Sequence, residues 1–347
     1  MRKIYSGQKL RSKGALSARL IAALAVILCV FFVISPAKIS GECAAGKSAC
    51  IAMERQTQTV LHEYNADARL PMASTTKIMT ALIICEDCDL DRVVTVPDEA
   101  VGAEGSSIYL KTGEKIDIRD LLYGLMLRSG NDAAAALAII HSGSMPAFAQ
   151  EMNARARILG AMNTNFKNPS GLPDDEHYTT ARDLCKIACA AMGNADFRQI
   201  VGTKSWHGKY RSYANKNKLL YNYEGATGIK TGYTVKAGRC LVSSALRDGM
   251  ETVCVVLNEP DMYNKSYSVL DECFKNFELA ENGGDKLFIC GGELCRAEGF
   301  KVVIKRGVPA VFKCVPMPQD GGCAGELQIY QQNNLIFSTK LYSIGIV

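Results

Sequence analysis

The sequence predicts an α/β (α+β) protein with a small all-β domain at its C-terminal end. Three observations carry this. Strand-like stretches at 48–64 and 229–257 flank a middle rich in apolar runs with helical spacing. The second stretch folds back at Arg247-Asp248-Gly249-Met250, and Asp-Gly between two β-rich runs signals a hairpin. After Asn282-Gly283-Gly284-Asp285 the composition turns to short apolar runs broken by Gly, Pro and Asn. A separate β domain has this pattern. The chain has 347 residues, 48% hydrophobic and 22% charged, which is enough core for two domains. The first domain is placed at 44–282 and the second at 284–347.

Taken in order, the chain opens on Arg2, Lys3, Lys9, Arg11, Lys13 and Arg19 ahead of an apolar run at 20–34. Those fifteen residues fall short of the ~20 that a membrane-spanning helix needs, and Ser35-Pro36-Ala37 offers small residues for cleavage. Residues 1–37 read as a secretory signal peptide cut near Ala37, with an uncleaved signal anchor as the alternative. The first 41 residues hold no acid and at least seven basic residues, so the net charge of +5 belongs to this leader. The remainder is close to neutral, and no nucleic-acid partner is expected. Of fourteen cysteines, Cys29 lies in the leader; the thirteen left are odd in number, so at least one thiol stays unpaired after export. Cys85-Glu86-Asp87-Cys88 lacks the second pair or the histidine that a structural zinc site needs. Cys185 and Cys189, at helical spacing, read as buried apolar residues. No metal or cofactor is expected.

Gly41-Glu42-Cys43-Ala44-Ala45-Gly46-Lys47-Ser48 spells a phosphate-binding loop. That motif works only between a strand and a helix. Here a leader precedes it and a strand-like run, Ala49-Cys50-Ile51-Ala52-Met53, follows, so the nucleotide reading is set aside. Residues 48–64 form an expected hairpin leading to Leu70-Pro71-Met72-Ala73-Ser74-Thr75-Thr76-Lys77. An unbroken apolar run from Ile78 then predicts a buried helix. Positions i and i+3 share a helix face, so Ser74 and Lys77 meet at the helix N-terminus. That end favours an oxyanion and opposes protonation of a buried lysine. The layout suits a serine nucleophile activated by a lysine. Ser6–Lys9 and Ser35–Lys38 spell the same pattern within or beside the leader, and the alternative reading of Ser74 itself is a helix cap.

Beyond the helix, 92–96 and 106–111 read as short strands. A helix is expected at 118–128, interrupted by Ser129-Gly130-Asn131, and a second is capped by Asp132. Further helices fit 145–160 and 179–192, with Asn168-Pro169-Ser170-Gly171 as a turn between them. Lys230-Thr231-Gly232 opens the β stretch, where an edge strand can present its backbone to an extended substrate. A helix at 263–280 closes the first domain. The second domain carries no histidine and no carboxylate cluster.

Ser74-x-x-Lys77, Ser129-x-Asn131 and Lys230-Thr231-Gly232 stand in the order found in penicillin-binding proteins and serine β-lactamases. Lys111-Thr112-Gly113 repeats the third motif but precedes the second and reads as a surface turn. Neither a Gly-x-Ser-x-Gly elbow nor a His-Glu-x-x-His zinc motif is present. His177, in His177-Tyr178-Thr179-Thr180, reads as a residue holding local structure.

In these motifs the chain resembles the D-alanyl-D-alanine carboxypeptidases, low-molecular-mass penicillin-binding proteins of serine peptidase family S11. The resemblance covers roughly 48–280. It includes Leu125-Met126-Leu127-Arg128-Ser129-Gly130-Asn131-Asp132, Asn168-Pro169-Ser170-Gly171-Leu172 and Gly228-Ile229-Lys230-Thr231-Gly232-Tyr233-Thr234. It implies a DD-peptidase/β-lactamase-like domain with a central antiparallel sheet and helices on both faces. It also implies that Ser74 attacks the carbonyl between two terminal D-alanines while neutral Lys77 takes its proton. Ser129 would pass the proton to the leaving amine, and Asn131 would bond the peptide amide. Lys230, Thr231 and Gly232 form the strand motif, the first two facing the substrate carboxylate with help from Lys216. The backbone N–H groups of Ser74 and Tyr233 would form the oxyanion hole.

The implied partners are peptidoglycan stem peptides ending in D-Ala-D-Ala, with β-lactam antibiotics as acylating inhibitors. The implied place is extracytoplasmic, at the cell wall or the outer face of the cytoplasmic membrane. Residues 343–347 are too short for the amphipathic helix that commonly anchors this family, so membrane contact is expected to be peripheral or transient. Two rivals differ in class. A class A β-lactamase would carry Ser-Asp-Asn and a Glu-x-x-Leu-Asn; here Leu257-Asn258 has Cys254 in place of that Glu. A sensor on an inactive peptidase fold would need no intact motifs.

Overall fold

The computed structural model describes residues 47–320 and 323–344. The signal peptide read at 1–37 lies outside them, as does most of the segment that spells a phosphate-binding loop. A strand rather than a helix follows that segment.

The first body is built on a five-stranded antiparallel sheet. Its strands are β1 (Ala49–Glu54), β2 (Val60–Tyr64), β3 (Ala226–Thr234), β4 (Gly238–Arg247) and β5 (Met250–Leu257), in the order β2-β1-β5-β4-β3. The central strand β5 is buried along its whole length, which its sequence Met-Glu-Thr-Val-Cys-Val-Val-Leu allows. The strand period of two then sorts the sheet's side chains between two cores. Ile51, Met53, Val253 and Val255 pack toward the helical middle of the chain. Cys50, Ala52, Cys254 and Val256 pack toward a single helix, α7 (Met262–Asn276). Helices thus cover both faces, as the motif resemblance implies. β4 and β5 join through Asp248 and Gly249, both with positive φ (48° and 78°), the backbone that a two-residue hairpin requires.

The helical middle comprises α1 (Lys77–Asp87), α2 (Ile118–Tyr123), α3 (Asn131–Ser142), α4 (Met145–Ile158), α5 (Ala181–Ala191) and α6 (Ala195–Gly202). α1 is buried from Lys77 to Cys85, as its apolar run dictates. Three details differ from the sequence reading. Asp132 does not cap α3: Gly130 holds that position, and the Asp132 carboxylate reaches out to a neighbouring loop. Residues 106–111 form no strand; Lys115–Asp117 pairs with Val93–Thr95 instead. The helix expected at 263–280 stops at Asn276, because the next residues enter a strand.

That strand, β6 (Phe277–Asn282), pairs with β9 (Phe300–Lys305). The rest of the C-terminal region is a five-stranded antiparallel sheet. It contains β7 (Leu287–Cys290), β8 (Glu293–Ala297), β10 (Ala310–Asp320), β11 (Cys323–Gln331) and β12 (Asn334–Ser343), in the order β7-β8-β12-β11-β10. The region is therefore all-β. The cysteines among the described residues are free thiols, and Cys185 and Cys189 are buried on α5 as their spacing requires. Among the described residues no helix is long and apolar enough to cross a membrane.

Candidate active site

Ser74 sits in the 3₁₀ turn Ala73–Thr76 that leads into α1. Hydroxyls of the turn hold it. Thr75 donates to the Met72 carbonyl at 2.6 Å and Thr76 to the Ala73 carbonyl at 2.8 Å. Thr76 Oγ1 also lies 2.8 Å from His177 Nε2, while His177 Nδ1 accepts from the Lys167 backbone N–H at 3.0 Å. The Thr76 proton is spent on Ala73, so Nε2 must carry the imidazole proton. Burial pushes the His177 pKa down to about 4, which keeps the ring neutral in this structural role.

Lys77 begins α1 and is fully buried. Its Nζ lies 2.7 Å from Asn131 Oδ1, 2.6 Å from the Ser170 carbonyl and 3.1 Å from Ser74 Oγ. The first two partners can only accept. A neutral amine has two N–H bonds and one lone pair. With both hydrogens so committed, the lone pair faces the Ser74 hydroxyl. Burial first, and the nearby Lys230 second, hold Lys77 well below the usual lysine pKa; Asp132 opposes them. The lysine is thereby prepared to accept the serine proton.

Asn131 ties this amine to a loop. Its Nδ2 donates to the Glu104 carbonyl at 2.5 Å, and its backbone N–H donates to the Ser106 carbonyl at 2.7 Å. Asp132, next in sequence, takes the N–H groups of Ile108 and Leu110 at 3.0 Å each and the Ser107 hydroxyl at 2.6 Å. Residues 106–110 are therefore shaped by one carboxylate rather than by a partner strand. Ser129 ends the π-helical turn Gly124–Arg128 in a left-handed conformation, φ 65°. Turns of this kind recur at functional sites.

The third wall is β3, the edge of the sheet beside the Ser74 turn. At Gly232 a Cβ would stand 3.1 Å from the Ser74 nitrogen and 3.2 Å from the Met72 carbonyl. A side chain there would press the strand and the turn apart by a few tenths of an ångström. Lys230 is buried, with Nζ 3.1 Å from the Thr231 carbonyl. Burial, with Lys216 adding to it, pushes the Lys230 pKa down to about 7. Two hollows meet at Ser74. One of about 460 Å³ runs past Asn131 and Ser170 to Leu172 and Val235. The other, about 360 Å³, includes Ser129, Thr231, Gly232, Tyr233, Lys216 and Arg239.

Most of the residues singled out in the sequence come together, although Lys230 lines neither hollow. Ser74, Lys77 and Asn131 touch, and Ser129, Thr231, Gly232 and Tyr233 share a hollow with Ser74. Lys111-Thr112-Gly113 is an exposed turn. Arg239 carries no motif signal. The role of the Asn168–Gly171 turn is also unmarked, because it acts through backbone. Asn168 Oδ1 gathers the N–H groups of Ser170, Gly171 and Leu172 at 3.2, 2.7 and 3.2 Å, which aims the Ser170 carbonyl at Lys77.

A family model described as D-alanyl-D-alanine carboxypeptidase matches residues 35–261. The chain is 34% identical over 260 residues to the D-alanyl-D-alanine carboxypeptidase DacF of Bacillus subtilis (strain 168), spanning 70% of this chain and 65% of that protein. It is 40% identical over 228 residues to the D-alanyl-D-alanine carboxypeptidase of Streptomyces sp. (strain K15), spanning 59% of this chain and 78% of that one. Among solved structures, penicillin binding protein 5 from Haemophilus influenzae superposes with a TM-score of 0.74 at 25% identity. It covers 87% of this chain and 97% of that chain.

Proposed function

Because the chain belongs to the D-alanyl-D-alanine carboxypeptidase family of serine peptidases, we propose that it removes the terminal D-alanine from peptidoglycan stem peptides through an acyl-enzyme on Ser74, and that penicillin acylates the same serine. The observation that carries this is the buried Lys77 amine, held at 2.7 Å by Asn131 Oδ1 and at 2.6 Å by the Ser170 carbonyl and 3.1 Å from Ser74 Oγ.

The steps follow from the residues. Lys77 takes the Ser74 proton as Oγ attacks the penultimate D-alanine carbonyl. The oxyanion is held by the backbone N–H groups of Ser74 and Tyr233, each such donor being worth about 10²–10³ in rate. Ser129 passes the proton to the departing amine, releasing D-alanine, and water then hydrolyses the ester. Asn131 gives Oδ1 to Lys77 and one Nδ2 hydrogen to Glu104 in the free enzyme; its second Nδ2 hydrogen would bond the substrate amide. Lys230 and Thr231, with Lys216 at the rim, hold the terminal carboxylate and so favour carboxypeptidase over endopeptidase action. Residues 44–282 would form the catalytic domain and 284–347 a spacing or docking domain. The leader at 1–37 would deliver the chain across the cytoplasmic membrane, leaving peripheral or transient contact with its outer face.

Ser74→Ala is expected to abolish D-alanine release from a peptide ending in D-Ala-D-Ala without loss of fold. If folded, penicillin-binding wild type releases none, the inactive-sensor reading holds instead.

The two lysines also set a pH profile. Acylation needs Lys77 neutral, so kcat/KM falls as pH drops through its lowered pKa. Carboxylate binding needs Lys230 charged, so kcat/KM falls again as pH rises through about 7. Bound carboxylate stabilises the Lys230 ammonium, so this alkaline limb is weaker in kcat. Lys230→Arg keeps its charge at all these pH values and is expected to remove the alkaline limb. A limb unchanged in Lys230→Arg would show that another group titrates there. His177, at about 4, contributes nothing above about pH 5.

A further inference from the structure

Apart from the active site, the C-terminal β region holds a cavity of about 380 Å³. Its walls come from two sheets. Phe300 and Val302 stand on β9, facing Phe312 on β10 and Ile329 on β11, with Phe288 of β7 at one side. Phe300 and Asn282 are direct cross-strand partners, as are Phe312 and Ile329. The lining is thus almost wholly aliphatic and aromatic, yet Phe312 keeps 56% of its surface open to water. Leaving such an aromatic wall wetted is unfavourable, and covering it with an apolar body would be favourable.

Three polar residues, Asn282, Glu281 and Lys286, break the apolar lining. Asn282 is 96% buried, with a relative exposure of 4%, and its Nδ2 has no hydrogen-bond partner. Its Oδ1 is already used, accepting from the Gly284 N–H at 3.3 Å. An amide donor left unpaired in the interior costs about 1–3 kcal/mol. That nitrogen has essentially no accessible surface, so it faces the packed interior rather than the cavity and is not a contact for a ligand. Lys286 lies at the rim and is exposed, whereas the neighbouring Glu281 has its charge engaged by Lys301 at 3.1 Å. The rim therefore carries Lys286 beside an exposed Glu281–Lys301 pair, one cation in excess.

We propose that this cavity is a binding site for a single aliphatic acyl chain, its tail against the phenylalanine-rich wall and its anionic head near Lys286. The volume suits one chain or ring and excludes a folded partner. The same chemistry is available from a free fatty acid or from the acyl ester of an anionic membrane lipid, and the two sources are separable. The site is independent of Ser74, so the proposal stands or falls apart from the peptidase reading.

The test uses the full mature chain with laurate in calorimetry and phosphatidylglycerol vesicles in flotation. Ala310 lines the cavity, and Ala310→Trp fills it. Laurate is expected to bind one per chain, at least about tenfold more weakly in Ala310→Trp, and less strongly in Lys286→Glu, which changes only an exposed side chain. Vesicle binding that Ala310→Trp abolishes, without laurate binding, supports the lipid-borne source. Absence of binding to both probes overturns the proposal, as does binding that neither substitution weakens. If Ala310→Trp loses its cooperative melt, Lys286→Glu decides alone.

Discussion

Lys77→Met is expected to lower the rate of acylation by labelled penicillin by roughly 10⁴-fold, the upper range for loss of a general base. Methionine matches the buried stem of Lys77 but cannot take the Ser74 proton. The substitution strands two acceptors, Asn131 Oδ1 and the Ser170 carbonyl, at about 1–3 kcal/mol each. It also removes an ionisable group from a fully buried position, which offsets part of that cost. The melting temperature should therefore move far less than the rate. Under the proposed mechanism Ser74 and Lys77 act as a unit, so the double variant Ser74→Ala/Lys77→Met should be little worse than either single one. A Lys77→Met protein acylated at more than about a hundredth of the wild-type rate would mean that another group activates the serine.

Gly171→Ala is expected to be the most damaging single-methyl change near the site. Gly171 has φ 85°, and a Cβ there would lie 1.9 Å from the Ala73 carbonyl oxygen and 2.9 Å from Thr76 Oγ1. The left-handed backbone alone costs a non-glycine residue about 1–3 kcal/mol. The collision must then be relieved by moving the Ser74 turn or the Ser170 carbonyl. A misplacement of about 1 Å in a reacting group can cost around 10²-fold in rate. Thermal melting and penicillin acylation together read both effects. Gly113→Ala is the control: it also has positive φ, 71°, but open space around it, and it belongs to the exposed decoy motif. It should cost some stability and leave the acylation rate unchanged. Equal damage from the two substitutions would show that backbone strain, not contact with the Ser74 turn, explains the Gly171 effect.

The Ser74–Lys77 pair was legible in sequence because it consists of two side chains at short spacing. Ser74 and Lys77 are three residues apart ahead of an unbroken apolar run, and a helix turn brings such positions together. Lys230-Thr231-Gly232 was legible because a strand pair follows it. What escaped is what depends on distant backbone. Asp132 has the form of a helix cap, but its carboxylate is drawn instead to N–H groups 22–24 residues earlier. The Ser170 carbonyl and the Gly171 approach leave no side-chain signal at all. Residues 277–282, Phe-Glu-Leu-Ala-Glu-Asn, contain good helix formers, yet they pair with Phe300–Lys305. Sheet pairing there outweighs local propensity, and no window around 277 reveals the partner.

The central claim is that Ser74 is the acylated nucleophile of a peptidase rather than of a β-lactamase. Intact mass spectrometry of the mature protein before and after penicillin, followed by peptide mapping, tests it directly. One long-lived adduct per chain is predicted, on the peptide that contains Ser74, and none in Ser74→Ala. An adduct on another residue, or rapid turnover of penicillin with no adduct accumulating, would contradict it.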